Sequence, residues 1–438
     1  MENISWGKYR NAFSRDVFSM EDGKEVRLIG WIAFKREHKD KVFLQLRDRY
    51  GYIQLVVSQG SSTSLFEKTK NLNIESAVAV RGVVKSDVRA PGGKEVHVNE
   101  IHVVADADVW PITKEVLNAP DTMYDLRHLT MRGPRSRSIL LVREGIILGS
   151  IEYFTKNGYV FITAPTFITA AVEGGATLFK LKYFDRYAYL TQSSQFYEEA
   201  AICVFEKVFV VQPSFRAEKS RTRKHLTEFL HIEAEAAFLT HDDIMDVEEE
   251  LLKHIISYLN RNYEKEIKFL LNGSLLKEYE DPFPRIKYEE AISILQSKGV
   301  NIEWGEDFGS DEERILSKEF DTPFFVTHFP VNTRSFYHMN DPNNEKVTLS
   351  SDLMAPDGYG EITSGGQRIH KYEDLLRKIK EFGLNPEDYQ WYLDIRKYGM
   401  PPHSGFGMGV ERVARWLLKL PHVRDATLFP RTPSRIYP

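Results

Sequence analysis

Val208-Phe209-Val210-Val211-Gln212-Pro213-Ser214-Phe215-Arg216-Ala217-Glu218 is an apolar strand that ends on an arginine and a glutamate. A polar loop follows, Lys219-Ser220-Arg221-Thr222-Arg223-Lys224-His225, and the chain returns through Leu226-Thr227-Glu228-Phe229 toward Glu233 and Glu235. Strand, polar loop and returning strand make a hairpin. Arg216, at the strand end, presents a planar fork of donors suited to phosphate. Phe229 offers a flat face on which a base can stack. A basic loop by itself is an ordinary solvated turn, so a second stretch has to carry the argument.

That stretch is Pro401-Pro402-His403-Ser404-Gly405-Phe406-Gly407-Met408-Gly409-Val410-Glu411-Arg412. Its glycines allow close approach of backbone to a ligand, and a helix then begins with an arginine near its start. Upstream of the hairpin, Ser136 to Asn157 has Ile139, Leu140, Val142, Ile146, Ile147, Ile151 and Phe154 near helical spacing. Further helices are expected over Asp242 to Tyr263, Tyr288 to Lys298 and Asp374 to Phe382. Before all of these lie five runs rich in β-branched residues, around Val26–Ile32, Lys41–Asp48, Tyr52–Val57, Ala77–Val84 and Val96–Val104. With one helix near Ser64 to Asn71 they predict a small five-stranded barrel. The expected division is a barrel over 1–108, a Pro- and Gly-punctuated connector over 109–133, and a mixed domain over 134–438.

Composition limits the alternatives. Apolar residues make up 42% and charged residues 28% of 438, which excludes a disordered or collagen-like chain. The lone Cys203 excludes an intrachain disulfide and a cysteine-based zinc site. No apolar run approaches the ~20 residues that span a bilayer, and the N-terminal residues lack the features of a signal peptide. A reducing, cytoplasmic compartment is expected. The net charge is −5, but the window Trp31 to Tyr50 is basic, as a phosphate-binding face would be.

Together the hairpin, the glycine strand and the long helix resemble a class II aminoacyl-tRNA synthetase of the aspartyl/asparaginyl branch, in its compact archaeal form. Ser136–Asn157 with the strand Tyr159–Ala164 and Pro165 is similar to motif 1, Phe215–Glu218 through Phe229 to motif 2, and Gly407–Arg412 to motif 3. The resemblance implies an α+β protein, with an N-terminal OB-fold β-barrel and a class II catalytic domain of antiparallel sheet flanked by helices. It implies a homodimer through motif 1, no membrane partner, and ATP-dependent activation of an amino acid followed by transfer to tRNA. Arg216 and Arg412 would be the catalytic pair, on the α- and γ-phosphates. ATP would also meet Ala217, Glu218, Lys224, His225, Leu226, Phe229, Glu361, Gly409, Val410 and Glu411. Mg²⁺ would accompany it, held by Glu361, Ser364 and Asp352; Asp352 reads equally as a turn cap.

The amino acid would meet Glu173, Ser193, Gln195, Glu198, Glu199, Arg216, Ser364 and Arg368. In Gln192-Ser193-Ser194-Gln195-Phe196-Tyr197-Glu198-Glu199, aspartyl relatives place a lysine at position 198, which neutralises the substrate carboxylate. Asparaginyl relatives have an apolar residue there and a glutamate at position 199. Glu199 is therefore the expected contact to a carboxamide, and Glu198 is read as a solvent-facing helical charge or as the contact itself. Ala171–Phe179 and His225–Phe229 are also similar to the asparaginyl pattern. The implied substrates are asparagine, ATP and tRNA(Asn). In the barrel, Phe43, Arg47 and Gln54 match the residues that read the anticodon, in keeping with how single-stranded RNA is bound by stacking and edge contacts. Alternatives are an aspartyl enzyme, a non-discriminating one, an asparagine synthetase-like paralogue, and an inactive RNA-binding relative. Nothing in 269–321 carries a motif.

Overall fold

The computed structural model describes residues 5–60, 62–172, 177–219 and 222–438. Its contacts divide the chain into two units, Met1–Glu115 and Val116–Pro438. The first is a closed barrel of β1 (Glu25–His38), β2 (Lys41–Asp48), β3 (Gly51–Ser58), β4 (Ala77–Ser86) and β5 (Lys94–Ala105), in the order β1-β2-β3-β5-β4. Helix α1 (Thr63–Lys70) joins β3 to β4, and Ser62 caps it by accepting from the Leu65 N–H. Strict alternation builds the wall. On β2, Val42, Leu44 and Leu46 enter the core while Phe43, Gln45 and Arg47 face outward. Burying each such side chain stabilises the barrel by ~1.5–3 kcal/mol.

The second unit is built on an eight-stranded sheet. The long helix α2 (Pro134–Lys156) starts at Pro134, whose missing N–H suits the first turn. Then come β6 (Val160–Phe161), α3 (Gln195–Phe205), β7 (Lys207–Phe215), β8 (Glu228–Ala237) and α4 (His241–Asn262). The Thr240 hydroxyl accepts from the Asp243 N–H and the Asp243 carboxylate from the Thr240 N–H, a capping box that fixes the start of α4. After β9 (Arg285–Lys287) and β10 (Phe324–Thr327) follow β11 (Ser350–Ala355), β12 (Gly360–Gln367), α5 (Gln390–Lys397), β13 (His403–Gly409) and α6 (Val410–Leu417). The sheet runs β9-β10-β11-β12-β13-β8-β7-β6, antiparallel except at its two outer pairs. Helices α2, α4 and α6 cover one face, where Ile146, Phe154, Ile232, Ile255, Met408 and Val413 share a core.

Two sequence expectations change here. Only Val160–Phe161 of the strand expected over 159–164 pairs. The expected connector 109–133 is mostly built into the second unit. Short helices span Pro120–Asp125 and Arg127–Thr130, and the buried Arg127 guanidinium donates to the Thr427 and Leu428 carbonyls at 3.0 Å each. Its partners lie 300 residues along the chain, so no local pattern announces them. Among the described residues no helix is long and apolar enough to cross a membrane.

Candidate active site

Strands β7, β8, β12 and β13 carry a cavity of about 280 Å³ on the sheet face away from the helices. The period-two alternation of β8 supplies one wall. Ile232, Ala234 and Ala236 go to the core, while Phe229, His231, Glu233 and Glu235 line the cavity. β13 lies against β8, and its glycines make that contact possible. A Cβ at Gly405 would lie 2.1 Å from the Glu235 carboxyl, and one at Gly407 would lie 2.5 Å from the His231 ring. These two glycines make room for side chains, where the sequence suggested room for a ligand.

One set of lining residues is cationic. Arg216 N–H donates to the Thr227 carbonyl at 3.0 Å, and its guanidinium lies 5.6 Å from the Phe229 ring. Arg412 donates to Glu361 at 2.7 Å. Burial would raise the Glu361 carboxyl, but Arg412, Lys224 and Arg216 outweigh that and hold it at about 2. Lys224 pairs with Glu313, whose other oxygen accepts from the Glu361 N–H at 3.0 Å. Burial, Arg412 and Lys224 together lower His225 to about 3, so its ring is neutral. Glu218, 3.8 Å from His225, Leu226, Gly409 and Glu411 also line the space. Glu411 is buried, accepting from Arg143 at 2.8 Å and from the Leu230 N–H at 3.1 Å. Ala217 and Val410 do not line the cavity. Ala217 N–H bonds the Thr177 carbonyl at 2.7 Å, and the Val410 side chain is in the core, so the sequence expectation for both reduces to their backbone.

A second set is acidic. Ser193, Gln195, Glu198, Glu233, Glu235, Ser364 and Arg368 all line the cavity. Arg368 lays Nε and Nη2 on Glu235 Oε1 at 3.0 and 2.7 Å. Burial raises the Glu235 carboxyl against the pull of Arg368, which sets both donors on one carboxyl oxygen and pairs with it at 2.7 Å. Glu198 is fully buried and faces Glu233 and Glu235, which corrects its reading as a solvent-facing charge.

Glu199 requires the opposite correction. It is just as buried but lies behind the cavity. Oε1 accepts from Gln195 Nε2 at 2.9 Å and from the Tyr392 hydroxyl at 2.8 Å, while Oε2 bonds Arg396 and His403. With both oxygens engaged it holds Gln195, and Gln195 is what reaches the cavity. Burial opposes ionisation of Glu199, yet Arg396 and His403 hold its carboxyl well below the usual range.

Asp352 also stands back from the cavity. It accepts from Arg334 at 2.5 Å, its Oδ1 has no hydrogen-bond partner among the described residues, and burial, with the Glu361 charge, pushes it up to about 7 against the pull of Arg334. Among the described residues no three His, Cys, Asp or Glu side chains could hold a metal. Glu361 and Ser364 on the cavity wall, with the orphaned Asp352 oxygen behind, fit a hard cation that takes most of its oxygens from phosphate and water. Glu173 lies outside the described residues. The sequence did not single out Glu233, Glu235, Asp307, Arg334 or His338 as site residues, yet all line the cavity. For the first two a signal existed: glutamates alternating with apolar residues on a strand already committed to the site.

The barrel carries a separate face. Phe43, Arg47 and Gln54 are half-buried on the outside of β2 and β3, with Gln45 paired opposite Gln54. Arg47 donates to both oxygens of Glu75 at 2.7 and 2.8 Å, and Gln54 to Glu95 at 2.9 Å. Next to them on β1, Trp31 and Phe34 are 45% and 51% exposed, facing Arg47 and Gln45 in register. An open row of aromatics and polar forks suits unstacked bases.

Comparison with known proteins agrees with both faces. Residues 119–433 match the family described as tRNA synthetases class II (D, K and N), and residues 26–104 match the OB-fold nucleic acid binding domain. The asparagine–tRNA ligase of Pyrococcus horikoshii is 52% identical over 97% of this chain and 99% of its own. That of Thermoplasma acidophilum is 41% identical over 95% and 97%. The crystal structure of the P. horikoshii asparaginyl-tRNA synthetase complexed with asparaginyl-adenylate has a TM-score of 0.93 at 50% identity, covering 98% of this chain and 99% of that one. A hairpin that aims Arg216 and Phe229 at one cavity, a glycine strand that leads into the helix bearing Arg412, and a barrel with an open aromatic face are each accounted for by these matches: the chain is a member of the class II tRNA synthetases of the D, K and N family.

Proposed function

We infer that the protein is an asparagine–tRNA ligase: it activates asparagine with ATP and transfers it to tRNA(Asn). The near full-length likeness to asparaginyl relatives supports this. The choice of asparagine rests on one observation, the acidic set. Glu198, Glu233 and Glu235 face a single guanidinium, and among the described residues the only lysine lining the cavity, Lys224, is tied to Glu313.

In this reading the asparagine carboxylate attacks the α-phosphorus in line and pyrophosphate leaves, so the protein supplies position and charge rather than a nucleophile. Arg216 holds the attacking carboxylate and the α-phosphate. Arg412 leaves Glu361 for the γ-phosphate, with Lys224 and neutral His225 beside it. Adenine stacks on Phe229, and Glu218 accepts from its amino group. Gln195, its Nε2 held by Glu199, turns its oxygen to the substrate ammonium. Arg368 donates to the carboxamide oxygen. Glu361 and Ser364 would hold a Mg²⁺ brought with ATP, and that ion would offset phosphate charge. Such an enzyme works in the cytoplasm. ATP–pyrophosphate exchange with asparagine and aspartate side by side tests the reading, and equal use of the two would overturn it.

On the barrel, Phe43 stacks on an anticodon base and Gln54 reads an edge. Phe43→Ala is expected to lower tRNA charging by ~1–3 kcal/mol in kcat/KM, with little change in pyrophosphate exchange. Equal losses in the two assays would make Phe43 a mere wall residue. The chain also pairs with a second copy. Strand β6 is the sheet edge, its Val160 and Phe161 are exposed, and Leu148 on α2 is exposed too. Light scattering should give twice the chain mass at micromolar concentration; a value near the 50.7 kDa of one chain would contradict pairing.

A further inference from the structure

Ser194 precedes α3, and its hydroxyl oxygen sits between two carboxyl groups. It lies 2.6 Å from Glu198 Oε1 and is hydrogen-bonded to Glu233 Oε2. A serine hydroxyl has one proton. It can donate to one of these oxygens, and the other must bring a proton of its own.

The surroundings say which. Glu233 Oε2 also accepts from the Ser194 N–H at 2.8 Å, and Glu233 Oε1 accepts from the Ser193 hydroxyl. Donors converge on both oxygens, as they do on an anion. Glu198 has no such company. Among the described residues its Oε1 meets only the Ser194 hydroxyl, and its buried Oε2 has no hydrogen-bond partner. The charged groups facing it are Glu233 and Glu235 from β8 and Arg368 just beyond β12. Glu199, the next residue, turns away toward Arg396 and His403.

We propose that Glu198 works in the amino-acid subsite as a neutral carboxylic acid: Oε1–H donates to Ser194 Oγ, and Oε2 is kept as an acceptor for the carboxamide NH₂ of the substrate. The proposal rests on asparagine being the substrate. Burial, with the charges of Glu233 and Glu235, raises this carboxyl well above its ordinary range. A neutral acid also avoids the cost of burying another anion beside two carboxylates. Because the Ser194 proton is claimed by Glu233, the Glu198 proton cannot move to Oε2 without losing its acceptor. The cavity therefore meets an oxygen that only accepts. A carboxamide NH₂ satisfies it, and a carboxylate sets lone pair against lone pair.

Linkage fixes the sign of the pH effect. The protonated form is the working one, so activation is full below the raised pKa of Glu198 and is lost as pH rises through it. Glutamine is the neutral mimic: its NH₂ can donate to Ser194 Oγ while its carbonyl oxygen faces the cavity. The test is kcat/KM for asparagine and for aspartate in ATP–pyrophosphate exchange, measured against pH. Glu198→Ala should lose about 10–100-fold toward asparagine, the cost of stranding a buried donor. Glu198→Gln should recover most of that loss and still reject aspartate. The ratio of wild type to Glu198→Gln should fall about tenfold per pH unit above the Glu198 pKa, since losses common to both cancel. Ser194→Ala, which frees the proton, should narrow the preference for asparagine about tenfold. A flat ratio across pH, or a Glu198→Gln enzyme as poor as Glu198→Ala or as active with aspartate as with asparagine, would overturn the proposal. An unmodified protein that does not exchange with asparagine would instead overturn the functional reading beneath it.

Discussion

Arg216→Ala is expected to slow ATP–pyrophosphate exchange by about 10²–10³, the usual loss when one preorganised donor is removed from developing charge. Arg216 is placed for that by its neighbours. Its N–H is fixed to the Thr227 carbonyl, and its guanidinium lies against Phe229 at the mouth of the motif 2 hairpin. Negative charge shifts during the attack from the carboxylate to the pyrophosphate, so the interaction strengthens on the way to the transition state. The loss should fall mainly on kcat; a change confined to the KM for ATP would make Arg216 a ground-state anchor. Lysine should restore little, because one ammonium cannot span two oxygens as a guanidinium does. Exchange within a few-fold of the unmodified protein would remove Arg216 from this role.

Asparagine should be preferred to aspartate by about three decades in kcat/KM. Glu233 accepts from Ser193 and Ser194 on its two oxygens, and a carboxylate set against it at ~4 Å with an effective dielectric near 20 costs ~4 kcal/mol, or roughly 10³. The preference follows from the cavity wall, so the decisive substitution is Glu198→Lys. It would bring an ammonium beside Glu233 and Glu235 and turn the subsite toward aspartate. Glu199 is the wrong target for such a switch. Its two oxygens are spent on Gln195, Tyr392, Arg396 and His403, and removing it would leave Arg396 buried and unpaired. Comparable use of the two amino acids by the unmodified protein would favour the aspartyl alternative.

The adjacent glutamates show where sequence reasoning stops. The barrel strands, the long helix, the motif 2 hairpin and the glycine strand are all periodic or punctuated locally, and each forms close to its expected place. Whether position 198 or 199 faces the cavity is set by partners about 200 residues later, on α5 and at the start of β13. Helical periodicity orders the two residues around α3, yet it does not say which side the cavity is on. The same holds for Arg127, which the Thr427 and Leu428 carbonyls hold in place, and for Asp307 and Glu313 in a stretch without pattern. Asp352 looked like a metal position or a turn cap; Arg334, which sequence did not bring near it, occupies one of its oxygens.

Lys224, Arg412, Arg334 and Arg368 around the cavity each rest on a carboxylate, Glu313, Glu361, Asp352 and Glu235 in turn. Each such pair offsets much of its own charge. The phosphates that crowd a cell, on metabolites and on nucleic acids, meet paired charges there instead of an open positive well, and a bare anion must displace a carboxylate to gain a foothold. A nucleotide accompanied by a cation would offer charge to both halves of these pairs, its phosphates to the arginines and the cation to the carboxylates. Selectivity among anions is thus present before any base or amino acid is read.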